Sequence, residues 1–170
     1  MSDYHVYEPK NGHGLKHDPL NSIVAPRPIG WVSTRDAEGR LNLAPYSFFN
    51  LFSYKPPIVG FCSNGWKDSV RNATATREFV WNLATKPLAE KMNLTSAMVA
   101  TGVSEFELAG LTPEPSRVVG VPRVKESPVS FECKVTQIVA LTDTEGREVG
   151  SWITFGEAVG IHIRKDLIQG

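Results

Sequence analysis

One stretch decides the fold of this chain: Ser22-Ile-Val-Ala-Pro-Arg-Pro-Ile-Gly-Trp-Val-Ser-Thr-Arg-Asp-Ala-Glu-Gly-Arg-Leu-Asn-Leu-Ala-Pro-Tyr-Ser-Phe-Phe-Asn50. It predicts a β-hairpin with a first strand over residues 28–35 and a return strand over residues 41–44. Residues 36–39 have the chemistry of a tight turn, because aspartate opens such turns and glycine tolerates a left-handed backbone. Pro45 is expected to end the pairing, since proline has no N–H to give to a neighbouring strand.

Three aromatic residues surround a hydroxyl and an amide directly after this hairpin, in Tyr46-Ser-Phe-Phe-Asn50. A surface of rings with polar groups at its rim suits a flat ligand with polar edges. The same residues suit an ordinary packed corner of a sheet. From this segment alone, the packed corner is the favoured interpretation.

The composition predicts one globular domain over residues 1–170, with a polar leader over residues 1–21. Lys plus Arg and Asp plus Glu both number 18, so nothing indicates nucleic acid or an anionic membrane as a partner. The polar start and the lack of long apolar runs lead us to expect a cytoplasmic protein. Cys62 and Cys133 are expected to be free thiols, and no residue pattern predicts a metal site.

A polar loop, residues 63–69, leads into a predicted helix over residues 68–76 that Asp68 or Ser69 could cap. Helix N-termini offer free N–H groups, and Lys67 and Arg71 add positive charge. This is the best candidate phosphate site in the chain. The alternative is an ordinary capped helix on a solvated face.

The remaining pattern predicts many strands and few helices. Apolar or alternating strands are expected at residues 58–62, 78–84, 130–136 and 151–163, with a bulge near Gln137 and short helices starting near residues 85 and 104. In the strand 130–136, Glu132 is expected on the polar face. Residues 104–127 form an irregular excursion, which usually covers a site or an interface. The fold class is therefore mainly β with short helices, an antiparallel barrel without a Rossmann nucleotide site.

Four blocks together resemble one known family: Ala25-Pro-Arg-Pro-Ile-Gly-Trp-Val-Ser-Thr34, Asn42-Leu-Ala-Pro-Tyr-Ser-Phe-Phe-Asn50, Gly60-Phe-Cys-Ser-Asn-Gly-Trp-Lys-Asp-Ser-Val-Arg-Asn72 and Phe155-Gly-Glu-Ala-Val-Gly-Ile-His-Ile163. Their residues and order are similar to the flavin reductase-like family of FMN-binding split β-barrels. The resemblance implies a Greek-key-like antiparallel barrel and an FMN cofactor.

The resemblance also implies roles for particular residues. The FMN phosphate is expected at Ser63, Lys67, the backbone N–H of Asp68, and Ser69, with Arg27 as a second cation or as a surface ion-pair partner. The flavin ring is expected against Trp31, Ala44, Pro45 and Tyr46. Its polar edge or the ribityl chain is expected near Ser33, Thr34, Ser47 and Asn50. His162 lies either on the nicotinamide side of the flavin, in a catalytic role, or at a barrel end or subunit contact.

The function implied is that of an NAD(P)H-dependent flavin reductase, which moves hydride from nicotinamide to flavin. Such a protein can be the reductase component of a two-component monooxygenase. The alternative is a flavoredoxin-like FMN electron carrier without direct NAD(P)H turnover, and a non-catalytic barrel is a third interpretation. The expected partners are FMN, NAD(P)H, a monooxygenase or other electron acceptor, and a second copy of the chain. Four aromatics suit that homodimer interface: Phe48, Phe49, Trp66 and Trp152.

Overall fold

The computed structural model describes residues 3–97, 99 and 103–168, and the structural statements below concern these residues. The ends of the predicted 1–170 domain therefore lie outside the described residues. The strands are β1 (Gly30–Arg35), β2 (Leu41–Tyr46), β3 (Phe49–Tyr54), β4 (Pro57–Asn64), β5 (Glu78–Asn82), β6 (Pro113–Glu114), β7 (Arg123–Val124), β8 (Val129–Thr142) and β9 (Glu148–Ile163). The α-helices are α1 (Leu20–Ile23), α2 (Asp68–Thr76), α3 (Ala89–Leu94) and α4 (Glu105–Leu108), and 3-10 turns cover Pro9–Asn11, Lys86–Leu88 and Lys165–Leu167.

Seven of these strands form one antiparallel sheet in the order β2-β1-β5-β8-β9-β4-β3, and β6 and β7 form a small second sheet. The large sheet curls until β2 approaches β4, where the rings of Tyr46 and Phe61 lie 4.7 Å apart. The predicted fold class, a mainly β antiparallel barrel with short helices, is confirmed.

The predicted hairpin forms through the expected turn chemistry. The Asp36 carboxylate accepts the N–H groups of Glu38 and Arg40, and Gly39 has a φ of 88°. The same arrangement joins β8 to β9, where Asp143 accepts two N–H groups and Gly146 has a φ of 81°. In each turn, the aspartate carboxylate accepts backbone N–H groups that the bent backbone would otherwise leave without an acceptor.

The prediction that Pro45 ends the pairing is wrong. Strand β2 runs to Tyr46, and Pro45 pairs with Trp31. β2 is an edge strand, and the Leu43 N–H points away from β1 to the carboxylate of Glu105, at 3.0 Å. Pro45 has the same orientation as Leu43, so its backbone nitrogen faces away from β1. The pairing of β1 with β2 therefore loses no hydrogen bond at Pro45.

Two apolar clusters lie on opposite faces of the sheet. The barrel interior contains rings and aliphatic side chains from six strands, including Val32, Phe61, Phe79 and Cys133. On the outer face, Trp31 and Leu43 pack under the excursion through Phe106, Leu111 and Val124. The excursion at residues 104–127 thus covers the outer face of the sheet, whereas the sequence predicted that it would cover a site or an interface.

Glu132 lies on the face opposite Cys133, as expected, and the bulge near Gln137 is confirmed by a register shift between Val135 and Gln137. The burial of this polar face was not expected: Glu132 and Ser130 are 0% and 1% exposed. Backbone N–H groups of residues 117–119 lie over this face and bind the Glu132 carboxylate. A charged residue is therefore buried because the excursion supplies its partners.

Gly156 packs closely against side chains of the barrel interior. A Cβ added there would lie 2.4 Å from Cε1 of Phe79 and 3.0 Å from Cβ of Cys133. Gly156→Ala is therefore expected to lower the free energy of unfolding by about 1–3 kcal/mol, since well-packed interiors resist added volume. Urea denaturation measures this change, and unaltered stability would show that the Phe79 ring can move aside.

Both cysteines are free thiols in the structure. In the described part of the chain, no helix is long and apolar enough to cross a membrane. Nor do three or more His, Cys, Asp or Glu side chains there converge as a metal site would require.

Candidate functional site

A cavity of about 460 Å³ opens between the edge strand β2, the start of α2 and the residues after α3. It brings together six residues assigned from the sequence: Ala44, Pro45, Tyr46, Lys67, Asp68 and Ser69. Sequence reasoning gave no role in the site to the other lining residues, which are Asn42, Thr95, Ser96, Ala97, Val99 and Glu105. The hairpin and the polar loop therefore contribute to one site, 20 residues apart in the chain.

The first turn of α2 has uncommitted N–H groups. Its N-cap is Lys67, which makes no capping hydrogen bond, so the prediction that Asp68 or Ser69 caps the helix is wrong. The Asp68 carboxylate instead accepts a hydrogen bond from Arg71, at 2.6 Å. The helix therefore presents its positive end to the cavity beside an exposed lysine, while Arg71 offsets the charge of Asp68.

Ser69 is held by a buried amide. The Asn42 side-chain N–H₂ donates to Oγ of Ser69 at 2.9 Å and to Oγ1 of Thr34 at 3.3 Å. Ser69 is 1% exposed, and its hydroxyl also has the Tyr46 hydroxyl as a hydrogen-bond neighbour. Asn42 therefore fixes Ser69 at the wall of the cavity.

Glu105 closes the other wall of the cavity. It is 7% exposed, and burial raises the pKa of its carboxyl although the Leu43 N–H partly opposes that shift. This bond connects α4 to the edge strand and satisfies a donor that β2 would otherwise leave unpaired. Glu105 was missed because a single carboxylate in a four-residue helix carries no recognisable pattern.

Three residues expected at the ligand are instead fully buried beneath the site. Trp31, Ser33 and Thr34 are all 0% exposed. The Trp31 indole donates to Oγ1 of Thr95 at 3.0 Å, and Ser33 donates to the Pro122 carbonyl at 2.7 Å. For Trp31 and Ser33, strand alternation could not reveal this, because it does not show that the excursion covers the outer face of β1. Thr34 lies on the opposite face of β1, where Asn42 and Asn72 donate to its hydroxyl.

Four other assigned residues also lie outside the cavity lining. Ser63 donates to the Gly65 carbonyl at 2.8 Å, and Ser47 is exposed between β2 and β3. Asn50 is exposed on β3, where its side chain accepts the Leu51 N–H. The Arg27 guanidinium donates to backbone carbonyls of residues 21 and 24 and lies 5.5 Å from the Phe48 ring centre.

His162 lies elsewhere on the sheet. Pro45, Trp31, Asn82, Ser130 and His162 are consecutive partners across five strands. Four strand spacings separate Pro45 from His162, which is about 19 Å around the sheet. Its Nε2 lies 2.5 Å from the Glu132 carboxylate. Within one chain, His162 therefore does not line the same cavity as Pro45, and its catalytic role remains a prediction.

Comparison with known proteins gives a consistent result. A family model described as flavin reductase like domain matches residues 23–169. A protein of uncharacterised function from Aquifex aeolicus is 42% identical over 152 residues, which cover 86% of this chain and 74% of that protein.

Two solved structures share the fold and more than a quarter of their aligned residues. Nitrilotriacetate monooxygenase component B from Bacillus cereus has a TM-score of 0.86 and 29% identity, covering 99% of this chain and 86% of that one. The 2-nitrobenzoate 2-nitroreductase of Pseudomonas fluorescens has a TM-score of 0.79 and 32% identity, covering 88% and 71%. The matched region contains every residue that lines the cavity, and this chain belongs to the flavin reductase-like family.

Proposed function

We propose that this chain is an NAD(P)H-dependent flavin reductase that binds FMN in the cavity between β2 and α2. One observation carries the proposal: the apolar wall at Ala44, Pro45 and Tyr46 faces the same space as Lys67 and Ser69. Family membership supports flavin-related oxidoreductase chemistry, and the two structural neighbours are a monooxygenase component and a nitroreductase.

The phosphate of FMN fits the donors at the start of α2. A phosphate carries close to two negative charges near neutral pH and binds best to cations, hydroxyls and backbone N–H groups. Lys67 supplies a charge that makes no ion pair with any described residue, and the uncapped turn supplies N–H groups. Ser69 lines the same space, and its hydroxyl can turn from Tyr46 to donate to the phosphate.

The flavin ring fits against β2. Bound flavin supplies the redox chemistry, taking up hydride from a reduced nicotinamide and returning electrons to an acceptor. Ala44, Pro45 and Tyr46 give the ring a surface, and residues 95–97 limit the space on the far side. The protein positions the flavin and the nicotinamide for hydride transfer, and this transfer requires no acid or base group on the protein.

A homodimer is part of this proposal. Strand β3 exposes a row of apolar side chains that a second copy of the chain could cover: Leu51, Phe52 and Tyr54, with Phe48 beside them. Of the aromatics expected at the interface, Phe49 stacks on Trp81, whereas Trp66 remains 46% exposed next to Trp152. A monooxygenase or another electron acceptor is the proposed protein partner.

The test is an absorbance spectrum of the purified chain with FMN, recorded before and after anaerobic addition of NADH or NADPH. Flavin bands that bleach within seconds are expected, together with steady-state NAD(P)H oxidation that rises with added FMN. Bands that persist with both nucleotides but bleach with dithionite would favour the flavoredoxin-like electron carrier. A chain that fails to bind FMN would overturn the flavin assignment itself.

A further inference from the structure

A second cavity, of about 400 Å³, lies where β9 ends and has no lining residue in common with the first among the described residues. Its walls include the basic residues Arg123, Lys125, His162 and Arg164, against one carboxylate, Glu114. The chain as a whole has equal numbers of Lys plus Arg and of Asp plus Glu. Arg123 pairs with Glu114 and Arg164 pairs with Asp166, whereas Lys125 makes no ion pair with a described residue and can attract an anion into this concave site.

Arg123 is held in place at the wall of this cavity. One terminal nitrogen of its guanidinium pairs with Glu114 at 2.9 Å, which fixes the side chain. The Nε atom is buried and has no hydrogen-bond partner among the described residues. Because Nε is covered, a ligand in the cavity would contact the guanidinium through its terminal nitrogens.

His162 presents a defined nitrogen to the same space. The Glu132 carboxylate is ionised at neutral pH: burial alone would raise its pKa, but hydrogen bonds from His162 and three backbone N–H groups lower it to about 2. The ionised carboxylate requires a proton on Nε2 of His162. Nδ1 therefore remains for a ligand as a hydrogen-bond acceptor, and it has no partner among the described residues.

The cavity also has an apolar side, formed by Pro128, Ile161 and Ile163. Ile161 and Ile163 are each about half exposed, so an apolar group could rest on them. We propose that this cavity binds the phosphate group of a small organic ester. Arg123 and Lys125 contact the phosphate, and the organic part lies against the two isoleucines beside Nδ1 of His162. This site does not depend on flavin binding.

The experiment is amide NMR of the full chain, titrated separately with inorganic phosphate and phenyl phosphate at constant ionic strength. Saturable shifts are expected at residues 123–125 and 161–164, with phenyl phosphate binding more tightly. Lys125→Glu should weaken this binding about tenfold or more, since it removes one charge-assisted contact. Lys86→Glu, which makes the same charge change at an exposed position outside the cavity, should leave it unaltered.

Each result has a distinct meaning, because NMR reports the two cavities separately. Shifts confined to residues 67–69, or shifts that never saturate, would overturn the second site. Equal affinity for both probes would overturn the assignment of an organic ester. If FMN fails to bind in a parallel titration, only the proposed flavin function fails, since the shifts at residues 161–164 are read independently.

Discussion

Replacing Glu132 with alanine is expected to lower the free energy of unfolding by roughly 3–5 kcal/mol, as breaking a buried ionic network does. Each carboxylate oxygen has two donors. One oxygen accepts the Arg117 N–H at 2.8 Å and His162, and the other accepts the N–H groups of Val118 and Val119 at 2.6 and 2.9 Å. Alanine would leave these four donors without their acceptor, and the N–H of the buried Val119 would also have no access to water.

Glu132→Gln keeps the shape and sharpens this test. The amide offers one acceptor oxygen, but its N–H₂ group must then face two donors, so a substantial loss is still expected. Glu38→Ala is the control, because its carboxylate is exposed and its pairing with Arg40 contributes little. Chemical denaturation followed by tryptophan fluorescence measures all three variants. Stability equal to the parent in Glu132→Gln would show that the network does not hold the excursion.

The same network predicts how stability depends on pH. The pKa of Glu132 is about 2 in the folded chain and near its ordinary value of 4.5 when unfolded. A lowered pKa stabilises the fold above the unfolded value, and this contribution is lost as pH falls towards the folded value. Between about pH 5 and pH 2, the parent should therefore lose stability more steeply than Glu132→Gln.

Lys67→Glu is expected to weaken FMN binding by roughly 100-fold or more. Loss of one charge-assisted hydrogen bond costs about 1.5–3 kcal/mol, and the new carboxylate adds repulsion of the phosphate. Lys67 is exposed, so folding should be unaffected. Quenching of flavin fluorescence during titration gives the affinity.

Riboflavin is the matched ligand control, because it has the ring and ribityl chain of FMN but no phosphate. Its affinity should change little in Lys67→Glu. Lys16→Glu, an equal charge change in the exposed leader, should alter neither ligand. Equal losses for FMN and riboflavin would mean that Lys67 contacts the ring side, and no loss for either would remove Lys67 from the site.

Local chemistry was predictable from the sequence. The turn at residues 36–39 and the helix Asp68–Thr76 formed as predicted because their signals involve neighbouring residues. Pro45 was predicted wrongly because only the sheet order shows that β2 is an edge strand. Whether a proline ends strand pairing depends on which side of its strand has a neighbouring strand, and the local sequence does not show this.

Only half of the residues that line the candidate site were predicted, again because the necessary information is not local in the sequence. Lys67 and Ser69 were found because a loop before a helix has a recognisable anion-binding chemistry. Thr95 and Glu105 come from segments about 50 and 60 residues beyond the hairpin, and only the folded chain brings them to β2. The burial of Glu132 was not predicted because three of its partners are backbone N–H groups, which have no signature in a sequence.

That last contact has a consequence for how the protein can change over evolutionary time. Since Glu132 is bound by main-chain N–H groups, the side chains of Arg117 and Val118 are not needed for this contact. Substitutions at these two positions can therefore accumulate while the hydrogen bonds to Glu132 still hold the excursion against the barrel. Proline is the exception, because it has no N–H to give. The cover over the outer face of the sheet can thus acquire new surface chemistry without loss of the fold.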